Sequence, residues 1–164
     1  MRKIQSIAFI FFMMIGSFSN ATTFKLEWDH GKLPLTTEVQ RLVALEEERV
    51  GQNGILDDKV ILPAAALLKN DEVILGPGET AYLVLLVKNK SKRTISFSVA
   101  PHSIHPGESA LGFSFNCLCN GHIYTVGPDQ IWYRLMKLSS RSKGTMSAVV
   151  LKHTLFPATK KAKI

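Results

Sequence analysis

Most signatures of catalysis are missing from this sequence. It has no glycine-rich phosphate loop, no His-Glu-x-x-His pair and no nucleophile elbow around its serines. Nucleotide chemistry, zinc proteolysis and serine hydrolysis therefore have no basis in it, and the expectation is a protein that is not an enzyme. Cysteine is scarce: the chain has 2, Cys117 and Cys119, with Leu118 between them. The Cys-x-x-Cys of thiol-disulfide oxidoreductases, which lowers a thiol pKa at a helix N-terminus, is absent. A structural disulfide is also a poor account of the pair, because residues i and i+2 of an extended strand have Cα atoms near the ~6.8 Å limit of disulfide geometry. Acidic residues are few in the second half. Lys88 to Ile164 holds 12 lysines and arginines against 2 acids, whereas Thr22 to Val87 holds 6 against 11. Such asymmetry predicts a positive face for an acidic partner or an anionic membrane.

Past the first residues no apolar run approaches the ~20 residues that span a bilayer. At the start, Arg2 and Lys3 precede an apolar run from Ile7 to Ile15 and then Gly16-Ser17-Phe18-Ser19-Asn20-Ala21. This is the order of a cleavable signal peptide, residues 1–21, with Ser19 and Ala21 as the small residues before a cut at Thr22. The expected location is the periplasm. Export removes nucleic acid from the expected partners.

Along the remaining chain, residues 22–70 read as an N-terminal extension with one short helix. Thr37 to Val50 is the candidate, with a threonine cap, early Glu38, apolar Val39, Leu42, Val43 and Leu45, and Gly51 at the stop. Residues 71–157 read as a β-sandwich, and 158–164 as a basic tail. Glu72–Leu75, Ala81–Val87, Ile95–Val99, Leu111–Phe115, Ile123–Val126, Ile131–Leu138 and Met146–Phe156 are strand-like and separated by turn residues. The uninterrupted apolar run of Ala81–Val87 suits a central strand. Ile95, Phe97 and Val99 alternate with serines and suit a strand with one face in the core. The fold class is all-β, an immunoglobulin-like sandwich.

If the alternation of Leu111, Phe113 and Phe115 continues, Cys117 and Cys119 fall on the same face beside the aromatic rings. Two soft thiolates select copper(I) or zinc, and copper(I) accepts a low coordination number. Zinc would need two more ligands. His122, three residues beyond Cys119, is the added metal candidate, and His102 and His105 in the preceding loop are further ones. The blue-copper pattern fails on spacing, since Met136 lies 14 residues past His122 instead of within a few.

Glu72 to Phe156 resembles the CtaG-type copper chaperones that deliver copper to cytochrome c oxidase. The corresponding features are Gly76-Pro77-Gly78-Glu79, Lys88-Asn89-Lys90-Ser91, Val99-Ala100-Pro101, Phe113 to Cys119, and His153-Thr154-Leu155-Phe156. Leu118 and Asn120 stand where that family has aromatic residues. The resemblance implies a copper(I)-thiolate site at Cys117 and Cys119 and delivery by transient contact. The expected partners are a copper-receiving protein of the membrane or periplasm and a second copy sharing the ion. The competing expectation is a structural or interaction module with the cysteines in its core.

Overall fold

The computed structural model describes residues 21–141 and 148–159. Residues 1–20 of the expected signal peptide and the lysine-rich end of the tail lie outside the described residues. The strands are β1 (Thr22–Asp29), β2 (Leu35–Leu42), β3 (Asn53–Ile55), β4 (Ala65–Leu67), β5 (Glu72–Leu75) and β6 (Thr80–Asn89) in the first half. The second half supplies β7 (Ile95–Val99), β8 (Ser103–His105), β9 (Phe113–Asn116), β10 (Tyr124–Val126), β11 (Ile131–Ser140) and β12 (Ala148–Pro157). One sheet runs β10-β7-β12-β1-β5, with β8 also on β12; the other runs β3-β11-β6-β2-β4, with β9 also on β11. β1 and β12 pair in parallel, and every other pairing is antiparallel. The all-β sandwich expected from the strand spacing is therefore the architecture.

The core lies between the sheets and is built by alternation. Phe24 and Leu26 of β1, Leu83 and Leu85 of β6, and Leu151 and Leu155 of β12 are all at most 1% exposed. β6 is the central strand its apolar run suggests, and it is buried on both faces. A second, smaller cluster of Leu42, Val84, Tyr133 and Leu135 covers its outer side, roofed by Leu45, Leu56, Val60 and Leu62 from the connection between β2 and β4.

Two sequence expectations are corrected here. The helix expected over 37–50 is instead the end of β2, followed by a single 3-10 turn at Glu47–Arg49. Leu35 and Val39 are four apart, and a spacing of four keeps residues on one face of a strand as well as of a helix. The free edge of β6 decides the matter, pairing with β2 from Leu35↔Asn89 to Arg41↔Leu83. Nor are residues 22–70 an extension. β1 sits between β12 and β5, and β2 between β6 and β4. A fragment beginning at residue 71 would lose interior strands of both sheets, so we expect it to show no cooperative thermal transition by circular dichroism, whereas the chain from Thr22 should melt in one step.

The interleaving of the two halves also mixes their charges. Lys137 of β11 pairs with Glu47 at 2.7 Å, and Lys152 of β12 with Asp29 at 3.7 Å. The basic second half is thus partly neutralised by the acidic first half. Among the described residues no helix is long and apolar enough to cross a membrane.

Candidate metal centre

Each sheet has one long strand whose outer edge is shared by two short ones. On β12, β8 pairs with Val150 to Lys152 and β7 with Leu155 to Pro157. On β11, β3 pairs with Trp132 to Arg134 and β9 with Lys137 to Ser140. His153 occupies the break on β12, and His102 lies in the link from β7 to β8 that spans it. The chain leaving β9 reaches the corresponding break on β11 and carries Cys117 and Cys119.

His102, Cys117, Cys119 and His153 come together there, with one donor atom from each lying within 4.8 Å of all the others. Two ligands of one ion with metal–sulfur bonds near ~2.3 Å sit at most ~4.6 Å apart, so small side-chain adjustments, the two sulfurs moving apart, would let all four reach a single metal ion. His102 Nδ1 is 3.4 Å from Cys119 Sγ and 3.5 Å from Cys117 Sγ. The two sulfurs are 2.8 Å apart and joined by an S–H···S hydrogen bond. That bond pushes the Cys117 thiol pKa down, against its burial and helped by the imidazoles of His102 and His153. The same bond, together with burial, pushes Cys119 up. A soft cation bound to both sulfurs would displace the proton of that bond.

His153 is the decisive residue. It is 0% exposed, and neither Nδ1 nor Nε2 makes a hydrogen bond of good geometry, although the imidazole lies close enough to Cys117 to favour its thiolate. Buried polar atoms are almost always paired, because leaving one unpaired costs about 1–3 kcal/mol. Aromatic rings hold the imidazole in place: Trp28 stacks on it at 4.3 Å and 16°, and Phe115 meets it edge-on at 5.7 Å. The opposite side of the cluster opens to a cavity of about 370 Å³ lined by His102, Phe115, Cys117, Cys119, Asn120 and Arg134.

Arg134 locks the cysteine segment from below. Its Nη2 donates to the Cys117 carbonyl at 3.0 Å, and its Nη1 donates to the Gly51 carbonyl. Gly51 has φ +90°, a conformation that side chains rarely adopt, and a Cβ there would lie 3.6 Å from Arg134 Nη2. Gly51→Ala should loosen this contact and lower the melting temperature by a few degrees, about 1 kcal/mol.

The structure brings together Cys117 and Cys119 as anticipated, but by a different route. β9 ends at Asn116, and the cysteines lie in a bend with Leu118 fully buried between them. His102 joins them. His122 does not: it is exposed, its backbone N–H is held by Asn120 Oδ1 at 3.2 Å, and it lies outside the cluster. The reason is Gly121, at φ +71°, which turns the chain away directly after Asn120. His105 is exposed on β8 opposite Val150, and Met136 is buried in the core on β11. His153 was not a sequence candidate, although its signal was present. It stands in the inward alternation Val149, Leu151, His153, Leu155, where only apolar residues are expected.

No curated protein and no solved structure matches this chain. A family model described as a domain of unknown function, DUF8709, matches residues 22–157, which takes in β1 through β12 and all four clustered side chains. The chain belongs to the DUF8709 family.

Proposed function

We propose that this protein is a periplasmic copper(I) carrier that holds the ion at Cys117 and Cys119, with His102 and His153, and passes it to a membrane or periplasmic cuproprotein. Cytochrome c oxidase is the acceptor that the CtaG-type resemblance suggests. The reading rests on one observation: a fully buried imidazole gathered with a second imidazole and two thiols, one donor atom of each within 4.8 Å of the others. Copper(I) is a soft cation served by thiolate and imidazole alike, and it tolerates two or three ligands, so a set of four leaves some free to exchange.

The exposure of the ligands supports transfer over storage. Cys117 and His153 are buried, whereas Cys119 and His102 are half-buried. Cys119 also lines a second, apolar cavity of about 470 Å³ with Val99, Pro101, Ile123 and Phe156. An acceptor's ligand can therefore reach the site from two sides, as stepwise ligand exchange requires.

Zinc is the second reading, since two cysteines and two histidines are a common tetrahedral zinc set. One experiment separates the two. The reduced chain is loaded anaerobically with copper(I) or zinc(II), desalted against a chelator of known affinity, and assayed for bound metal. Stoichiometric copper(I), retained against a chelator that strips zinc(II), is the expected result. Zinc retained in preference to copper(I) would replace the carrier with a structural zinc domain, and retention of neither would leave a sandwich scaffold.

A further inference from the structure

Arg134 is an anomaly of the fold. On β11 it alternates with Trp132 and Met136, whose side chains lie in the core between the sheets. It is 7% exposed, and among the described residues no carboxylate oxygen lies within ion-pairing distance of it. Its two identified hydrogen-bond acceptors are the carbonyls of Gly51 and Cys117, and its Nε is buried without a partner. The cavity it shares with the cysteines is lined by no acidic residue. A buried guanidinium without a carboxylate partner is costly, and a folded protein normally supplies a counter-charge.

We propose that Arg134 is a specificity-determining residue that makes the site select monovalent over divalent soft cations. This rests on the copper(I) reading above and adds the physical basis of its selectivity. Two thiolates and a monovalent ion carry one net negative charge, and neutral histidine ligands leave it unchanged. With Arg134 beside it the centre is neutral. Two thiolates and a divalent ion carry no net charge, so the same arginine leaves one uncompensated positive charge in a largely buried site. The preference therefore follows from a fixed charge next to the ligands. Four sulfur and nitrogen donors would by themselves suit zinc equally well.

The test is a competition between copper(I) and zinc(II) for the reduced, full chain, with each metal buffered by a chelator and the bound ratio read by metal analysis. Arg134→Gln should lower the copper(I):zinc(II) preference by about tenfold or more. Arg134→Lys retains the charge and should stay within ~3-fold of the wild type. Asn120→Asp supplies the missing counter-charge from the cavity wall. It retains the acceptor that Asn120 Oδ1 presents to Tyr124 Oη at 2.8 Å and to the His122 N–H, so it should fold even if Arg134→Gln does not. Its preference should shift toward zinc in the same direction, by a smaller factor because the position is exposed. The proposal is overturned by an unchanged ratio in Asn120→Asp together with either an unchanged ratio or a failure to fold in Arg134→Gln. It is also overturned if Arg134→Lys falls as far as Arg134→Gln, which would assign the effect to hydrogen bonding. Failure of the copper reading itself has a distinct signature, the absence of copper(I) uptake by the wild-type chain, and it removes both.

Discussion

Replacing Cys117 or Cys119 with serine is expected to lower copper(I) affinity by more than ~100-fold, since removing an outer-shell partner of a metal ligand already costs 10–100-fold. A hydroxyl is a hard, poorly ionised donor, and the soft ion gains little from it. The two substitutions should differ in their effect on the protein without metal. Cys117 is buried, with its carbonyl fixed by Arg134, whereas Cys119 is half-exposed at the junction of two cavities. Cys117→Ser should therefore cost some thermal stability, and Cys119→Ser almost none. Chelator competition measures the affinity and a thermal melt the stability. If the double variant holds copper(I) as tightly as the wild type, the thiols are core residues and the carrier reading falls.

His153→Phe should separate stability from binding in the opposite sense. Phenylalanine preserves the stack on Trp28 and the edge contact with Phe115, and it removes two buried nitrogens that make no hydrogen bond of good geometry. Without metal the variant should be more stable than the wild type by about 1 kcal/mol, the cost of unpaired buried polar atoms, or a rise of ~3–5 °C for a domain of this size. With copper(I) present the order should reverse. A ligand that binds only the folded state raises stability in proportion to the logarithm of its affinity, and the variant has lost one of four donors. Melts with and without metal measure both quantities. A variant that is less stable without metal would show that the imidazole is satisfied in the fold and has no call for an ion.

His122→Ala, by contrast, should leave copper(I) affinity within ~2-fold of the wild type, because ligand loss acts only through residues that reach the ion. The difference between His122 and His153 illustrates where sequence reasoning reaches its limit. His122 is close to Cys119 along the chain, and proximity in sequence is a fair guide only while the backbone keeps its direction. Gly121, with its positive φ, bends the chain there, and β12, more than 30 residues away in the chain, supplies the clustered histidine instead.

The sequence by itself determined the class of fold and half of the site. Alternation in Ile95–Val99, the apolar run of Ala81–Val87 and the turn residues between them are local properties, so they identified an all-β sandwich and its central strand without reference to partners. The chemistry of two thiols one residue apart was equally local. Only the tertiary structure decided that β2 is a strand, because the choice between two periods at Leu35 and Val39 depended on the pairing edge of β6. It alone placed β1 beside β12 and made residues 22–70 part of both sheets. It likewise assembled His102, His153 and Arg134 around the cysteines, a convergence set by breaks at the edges of two different sheets. Burial marks those residues as unusual, since a histidine and an arginine in apolar strands were visible in the sequence. What they face is a property of strand order and register, which arise from long-range pairing and leave no local trace.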